Sequence, residues 1–196
     1  MFLNPLQFRE KINIGHVADS GQPPYPFDRD PVKNSHAKLL AFDILSLSRR
    51  NISSPSSSSN TVIFYRKSQQ ICRVETLGVV VTREFKAGKS LKFLIDDGTG
   101  CVSCILWLNQ LTSSHFSRKI PDDVRILAEI ANNHSSKIQI GRLARIRGRV
   151  TVYRGKIEIT VTDVVIERDP NAEILHWLDC VKLARNCYDV VAPNVQ

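Results

Sequence analysis

At 196 residues the chain is long enough for one domain with a real core plus appended segments. Its hydrophobic share of 42% and charged share of 23% are those of a globular protein, and no apolar run approaches the roughly 20 residues of a membrane helix. Lys plus Arg number 27 against 19 Asp plus Glu, a net of +8, which points to a polyanionic partner, with nucleic acid first.

The opening stretch Met1 to His16 has no apolar core and no small-residue cleavage site, so no signal peptide is expected. Five cysteines (Cys72, Cys101, Cys104, Cys180 and Cys187) form an odd set without a secretory signal and read as reduced thiols of the cytosol or nucleus. Residues 1–35 carry little signal and read as a flexible segment; "QPPYPFDRDP" has four prolines in ten residues. From His36 to Arg50, Ala37, Leu40, Ala41, Ile44 and Leu45 fall at helical spacing and predict an amphipathic helix, followed by a Ser-rich linker to residue 60. The fold proper then starts near Thr61, with "TVIFY" as a leading strand.

Three strand-like runs follow: Cys72 to Glu84, Ser90 to Asp97, and Cys101 to Asn109. In the third, Val102, Cys104, Leu106 and Leu108 share one face, and Cys101, Ser103, Ile105 and Trp107 the other. "KAGK" and "DGTG" are the turns that join them into a meander, Asp97 and Gly98 being expected to take positive φ. "PDDVRILAEIANNH" predicts a helix of about two to three turns, with Asp122 as cap, Asn132–Asn133 as stop, and Val124, Leu127, Ala128 and Ala131 on one face. Two further strands, Arg142 to Arg154 and Lys156 to Glu167, meet at an Arg154–Gly155 turn. A C-terminal amphipathic helix opens at Asp169–Pro170. This order is the layout of an OB-fold, a mainly β, five-stranded Greek-key barrel with a helix between strands three and four, here expected over residues 61–168. Other five-stranded barrels remain open on pattern alone.

The fourth strand is the most informative. Ala144, Ile146, Gly148, Val150 and Val152 alternate with Arg145, Arg147, Arg149, Thr151 and Tyr153. Between Arg142 and Ile157 there are six cations and no acid. Like charges along a strand repel, and an anion lying over them would relieve this. A solvated basic face is the alternative. Tyr153, Trp107 and Phe85 are candidate base-stacking rings, whereas Phe93 reads as core. The loops that flank an OB groove add Lys86, Lys89, Arg154 and Lys156 as phosphate candidates. Asp96 and Asp97 point to opposite sides of a strand, so a turn is preferred to a metal or acid–base site. Cys101 and Cys104 likewise diverge and lack a second ligand pair, so no metal, cofactor or catalytic residue is expected. A binding module is favoured over an enzyme.

The residues "RVETLGVVV", "DDGTGCVSCILW" and "IRGRVTVYRGKIEI" resemble the Stn subunit of the CST complex, which caps telomeres, in its short plant form. The middle subunit of replication protein A has a similar plan. The resemblance implies an OB-fold that binds single-stranded, G-rich telomeric DNA in the nucleus, alongside the large Ctc subunit. It implies that Trp107, Arg147 and Tyr153 lie on the DNA-facing sheet. It also implies that the C-terminal helix, Asp169 to Tyr188, within the helix and tail of residues 169–196, docks the small Ten subunit, in agreement with its stripe of Trp177, Val181, Ala184 and Tyr188, with Ile174 and Leu178 beside them; packing back on its own barrel is the alternative. Animal and fungal members carry winged-helix domains after the OB-fold, so roles assigned to that region, such as contacts with DNA polymerase alpha, are not carried over. A general single-strand binder and a protein-binding scaffold are the rival readings.

Overall fold

The computed structural model describes residues 35–52, 61–116 and 119–189. The predicted flexible segment, apart from Ser35, and the predicted Ser-rich linker, apart from Asn51 and Ile52, lie outside them. The meander expected from alternation is present: β5 (Arg73–Lys86), β6 (Ser90–Asp96) and β7 (Cys101–Trp107). The hairpin β8 (Leu143–Tyr153) and β9 (Lys156–Ile166) follows. With a short leading strand, β1 (His36–Lys38), the strand order is β1-β5-β6-β7-β9-β8, and β8 pairs back onto β5 to close the barrel. β5 can serve two neighbours because it is long. Arg73 to Val79 pair with β8 and Val79 to Lys86 with β6. A bulge between Val80 and Thr82 bends it from one to the other. The inward positions of the five strands form the core, with Val74, Leu91, Phe93, Ile95, Val102, Cys104, Ile146 and Ile159 all almost wholly buried.

The turns obey their residues. Arg154 and Gly155 both take positive φ, +48° and +79°, and join β8 to β9 in two residues. At "DDGTG" only Gly98 does so, at +82°; Asp97 does not, which corrects the sequence expectation. The Asp97 carboxylate instead accepts three hydrogen bonds, from Ala41 N (2.7 Å), Thr99 N (2.9 Å) and Thr99 Oγ1 (2.7 Å). Asp96 Oδ1 takes the Gly98 N–H at 2.8 Å. The paired acids are a turn device, and Asp97 also ties the turn to an N-terminal helix.

That helix is the main correction. In place of one helix over His36 to Arg50 the chain forms β1 (His36–Lys38), a five-residue α1 (Ala41–Leu45) and β2 (Ser48–Ile52). Ala37, Leu39, Ala41, Ile44 and Leu47 all enter the core. β1 pairs parallel with β5. β2 pairs with β3 (Thr61–Arg66), which pairs with β4 (Gln69–Ile71). This second, three-stranded sheet packs on the barrel through Phe64 and Ile71.

The helix between strands, α2 (Pro121–Lys137), is longer than expected. It begins after Ile120, so Asp122 and Asp123 sit in the first turn rather than at the cap. It runs through Asn132 and Asn133 because Ala131, Ser135 and Ile138 pack inward, which outweighs their weak propensity. Leu127, placed on the buried face by spacing, is 39% exposed. The C-terminal helix α3 (Ala172–Leu183) starts two residues beyond Pro170 and ends in a π-turn at Ala184–Tyr188. It lies across β1 and β5 and buries Ala172, His176 and Cys180. No helix among the described residues is long and apolar enough to cross a membrane.

Candidate nucleic-acid interface

One face of the barrel, between the β5–β6 and β8–β9 turns, carries two exposed rings. Trp107 closes β7 on its outward side, 41% exposed and opposite Ser90. Its neighbour Leu108 donates to the Lys89 carbonyl at 2.9 Å, so the ring is held beside the first basic loop. Tyr153 closes β8, 48% exposed. Lys92 Nζ stands 4.2 Å from the centre of its ring, and the Arg154 guanidinium 5.2 Å. Each ring therefore has cations beside it, the combination of stacking platform and positive charge that suits a single strand. Between the rings the surface is built by Lys92, Ser103, Glu158 and Thr160. Ser103 donates to Glu158 Oε2 at 3.2 Å, and Lys92 lies 3.8 Å from the same oxygen. Cys101 is exposed on this face while Cys104 points into the core, where burial pushes its thiol far up. Among the described residues no three His, Cys, Asp or Glu side chains gather as metal ligands.

The predicted cations divide into three groups. Lys89, Arg149, Arg154 and Lys156 are exposed and carry no ion-pair partner among the described residues. Lys86 is exposed and pairs with exposed Glu84 at 2.9 Å, a weak contact. Arg145 and Arg147 are consumed internally. Arg145 bonds Glu75 (3.0 Å) and Glu167 (2.7 Å), and Arg147 bonds Glu75 (2.6 Å) and Asp163 (3.4 Å). They line a polar hollow with Lys38, His176 and Asp179 under α3, not the face that holds Trp107 and Tyr153. Two cations of the acid-free stretch, Arg145 and Arg147, are thus neutralised by Glu75 on β5, Asp163 on β9 and Glu167 just after it. Burial alone would raise the Glu75 carboxyl, but the hydrogen bonds and charges of Arg147 and Arg145 outweigh it and hold it below its ordinary value.

Two contributors had no signal in the sequence reading. Lys92 lies on a strand read only for its alternation. Arg49, from β2, donates through Nη1 to the Gly155 carbonyl at 2.7 Å and pins the β8–β9 turn to the small sheet. Arg49, Leu94, Ser103 and Lys156 enclose a hollow of about 370 Å³ at that end of the face.

The residues expected to bind a partner also divide. Ile174, Trp177, Leu178 and Val181 are 62%, 38%, 61% and 44% exposed and form an apolar stripe on the outer side of α3. Ala184 is half-buried. Tyr188 is turned inward, 8% exposed, its hydroxyl accepting the Lys38 N–H at 3.2 Å. The helix packs on its own barrel with one side and leaves the other open.

Residues 74–167 match the family of OB-fold nucleic acid binding domains, and with the closed five-stranded barrel this makes the chain an OB-fold protein. Within that class, the CST complex subunit STN1 of Arabidopsis thaliana is 48% identical over 159 residues, covering 81% of this chain and 95% of the plant protein. The subunits of the same name from Ailuropoda melanoleuca and Danio rerio are 31% and 30% identical, and the chain spans only 44% and 50% of their lengths. The chain belongs to the STN1 family of CST complex subunits. Among solved structures, the S. pombe Stn1–Ten1 complex aligns with a TM-score of 0.56 at 15% identity, covering 79% of this chain and 95% of that one. The replication protein A heterotrimer bound to single-stranded DNA gives 0.55 at 16%, covering 78% and 97%. At these identities the agreement is one of fold.

Proposed function

We propose that the chain is a non-catalytic, single-stranded-DNA-binding subunit of a telomere-capping complex. The observation that carries this is the pair of exposed rings, Trp107 and Tyr153, on one barrel face between loops whose cations Lys89, Arg154 and Lys156 have no ion-pair partner among the described residues. Family membership supports the telomeric, nuclear setting and G-rich single strands as the ligand. It also supports a large Ctc-type partner and a role in protecting ends and supporting their replication. Residues 61–168 act as the nucleic-acid-binding unit and residues 169–196 as the partner-binding helix and tail. A small Ten-type partner covers the stripe of Ile174, Trp177, Leu178 and Val181, an apolar surface that nothing else among the described residues shields.

Fluorescence anisotropy of a telomeric G-rich oligonucleotide tests the reading, with the chain alone and with the small partner. Binding that weakens with salt supports it. Absence of binding in both states overturns it in favour of a protein-binding scaffold. That second reading has one observation behind it: Arg145 and Arg147 face carboxylates rather than solvent anions. Equal affinity for unrelated sequences would instead mark a general single-strand binder.

A further inference from the structure

The β5–β8 ladder contains one pair that its neighbours do not explain. Arg73 stands directly opposite Arg149. Both are exposed, and neither has an ion-pair partner among the described residues. The next pair along the same face, Glu75 and Arg147, is of opposite charge and bonded. Residues flanking the arginine pair are His36 on β1 and Thr160 on β9, neither of them acidic. Like charges directly opposite each other on a sheet destabilise it, so this pair invites an external anion.

The small sheet supplies the rest of a site. Arg50 on β2 lies with its guanidinium 4.8 Å from the centre of the Tyr65 ring on β3. It pairs in register with Ile63. Ile63, Gln70, Cys72, Arg149 and Val150 line a cleft of about 200 Å³ between the small sheet and β8. The cleft has an apolar floor, an amide and a cationic rim, and Arg50, the register partner of its lining residue Ile63, lies over the Tyr65 ring. Bases stack on guanidinium planes as well as on aromatic rings. The cleft is continuous with the barrel face: Tyr153, Thr151 and Arg149 follow one another on the outward side of β8, and four residues of strand cover about 13 Å.

We propose that a single strand leaving the Tyr153 end of the barrel face continues over Arg149 into this cleft, its phosphates held by Arg73 and Arg149 and a base stacked on Arg50. The inference rests on the reading that the barrel face binds a single strand. It extends the footprint onto a sheet outside the residues matched to the OB-fold family, since β2, β3 and β4 all precede residue 74.

The test uses the full chain, with the small partner present, and telomeric G-rich oligonucleotides of about 6 and about 12 nucleotides, lengths within the range one OB-fold covers. The short one fits the barrel face; the long one also reaches the cleft. Wild type is expected to gain about fivefold or more in affinity from short to long, and Arg50→Ala with Arg73→Ala to lose that gain while short-oligonucleotide binding stays within about twofold. The salt slope for the long oligonucleotide should fall by about 0.7, one single-strand phosphate contact at Arg73. Arg73→Glu is the control for folding. It sets opposite charges across the ladder, so the melting temperature should hold or rise while the gain disappears. Retention of the gain in either variant overturns the proposal. So does a wild type whose affinity does not rise with length, which leaves the cleft to a protein partner. Failure of both lengths in the wild type overturns the proposed function itself, a separate outcome.

Discussion

Glu75 and Asp97 are both nearly inaccessible carboxylates, 4% and 2% exposed, and each is expected to register in stability. Glu75 holds two arginines at once. Glu75→Gln leaves Arg145 and Arg147 short of a counter-charge, at a cost on the order of 3 kcal/mol, the low end for a broken buried pair because Arg147 is 41% exposed and rehydrates. Its pH dependence has a definite sign. The folded carboxyl lies below its ordinary value of 4.5, so its contribution is fully present above that value and is lost as pH falls through the folded one. Calorimetry from neutral pH downward should show a shallower acid decline in Glu75→Gln than in wild type; equal slopes would remove Glu75 from the acid response. Asp97→Ala forfeits three accepted hydrogen bonds and the anchor of α1, for about 1.5–3 kcal/mol. Asp96→Ala, which loses the single bond to Gly98 N, should cost less. Melting temperatures that reverse this order would refute the assignment of Asp97 as the structural member of the pair.

At the scale of elements, α3 makes two opposite demands on one sequence, and substitutions should separate them. Leu178→Glu charges an exposed position, so the melting temperature should hold while affinity for the small partner falls more than about 30-fold, the loss of a hot-spot contact. Tyr188→Ala should do the reverse, lowering stability through lost burial and the lost Lys38 contact. Spacing alone merged these roles, because a helical stripe reports which residues are neighbours and not which side faces the barrel. The barrel strands were legible for the opposite reason: β6, β7 and β8 alternate with period two, and the β5–β6, β6–β7 and β8–β9 turns each carry a glycine, Gly88, Gly98 and Gly155. Residues 36–52 were not. Ala37, Ala41 and Ile44 fit a helix by spacing, yet β1 and β2 exist only because distant β5 and β3 supply partners. The polar "SRRNI" of β2 has no strand pattern of its own. The site was half legible. Trp107 and Tyr153 stood out as rings on outward positions, whereas the pairing of Arg145 and Arg147 with Glu75 depends on a register that local sequence does not encode.

For the whole molecule, a net charge of +8 matters through where it is left unpaired. Two kinds of contact on the barrel face should leave different thermodynamic signatures. The rings offer stacking, worth about 1–3 kcal/mol per base and insensitive to counterions. The loop cations Lys89, Arg154 and Lys156 offer phosphate contacts, each of which releases counterions from a single strand and adds about 0.7 to the slope of log affinity against log salt. Trp107→Ala and Tyr153→Ala should therefore lower affinity for a G-rich single strand about 5–150-fold each while leaving the slope near its wild-type value. Lys89→Ala, Arg154→Ala and Lys156→Ala together should flatten the slope by about 2, with the larger loss of affinity at low salt. Tyr153 is coupled to Lys92 and Arg154 through its ring, so removing it frees both cations and any change in slope should be an increase. If the ring substitutions flatten the slope as strongly as the cation substitutions, stacking and phosphate binding are not separate on this face. The strand would then be held by charge alone, with the aromatic residues serving only to position the cations.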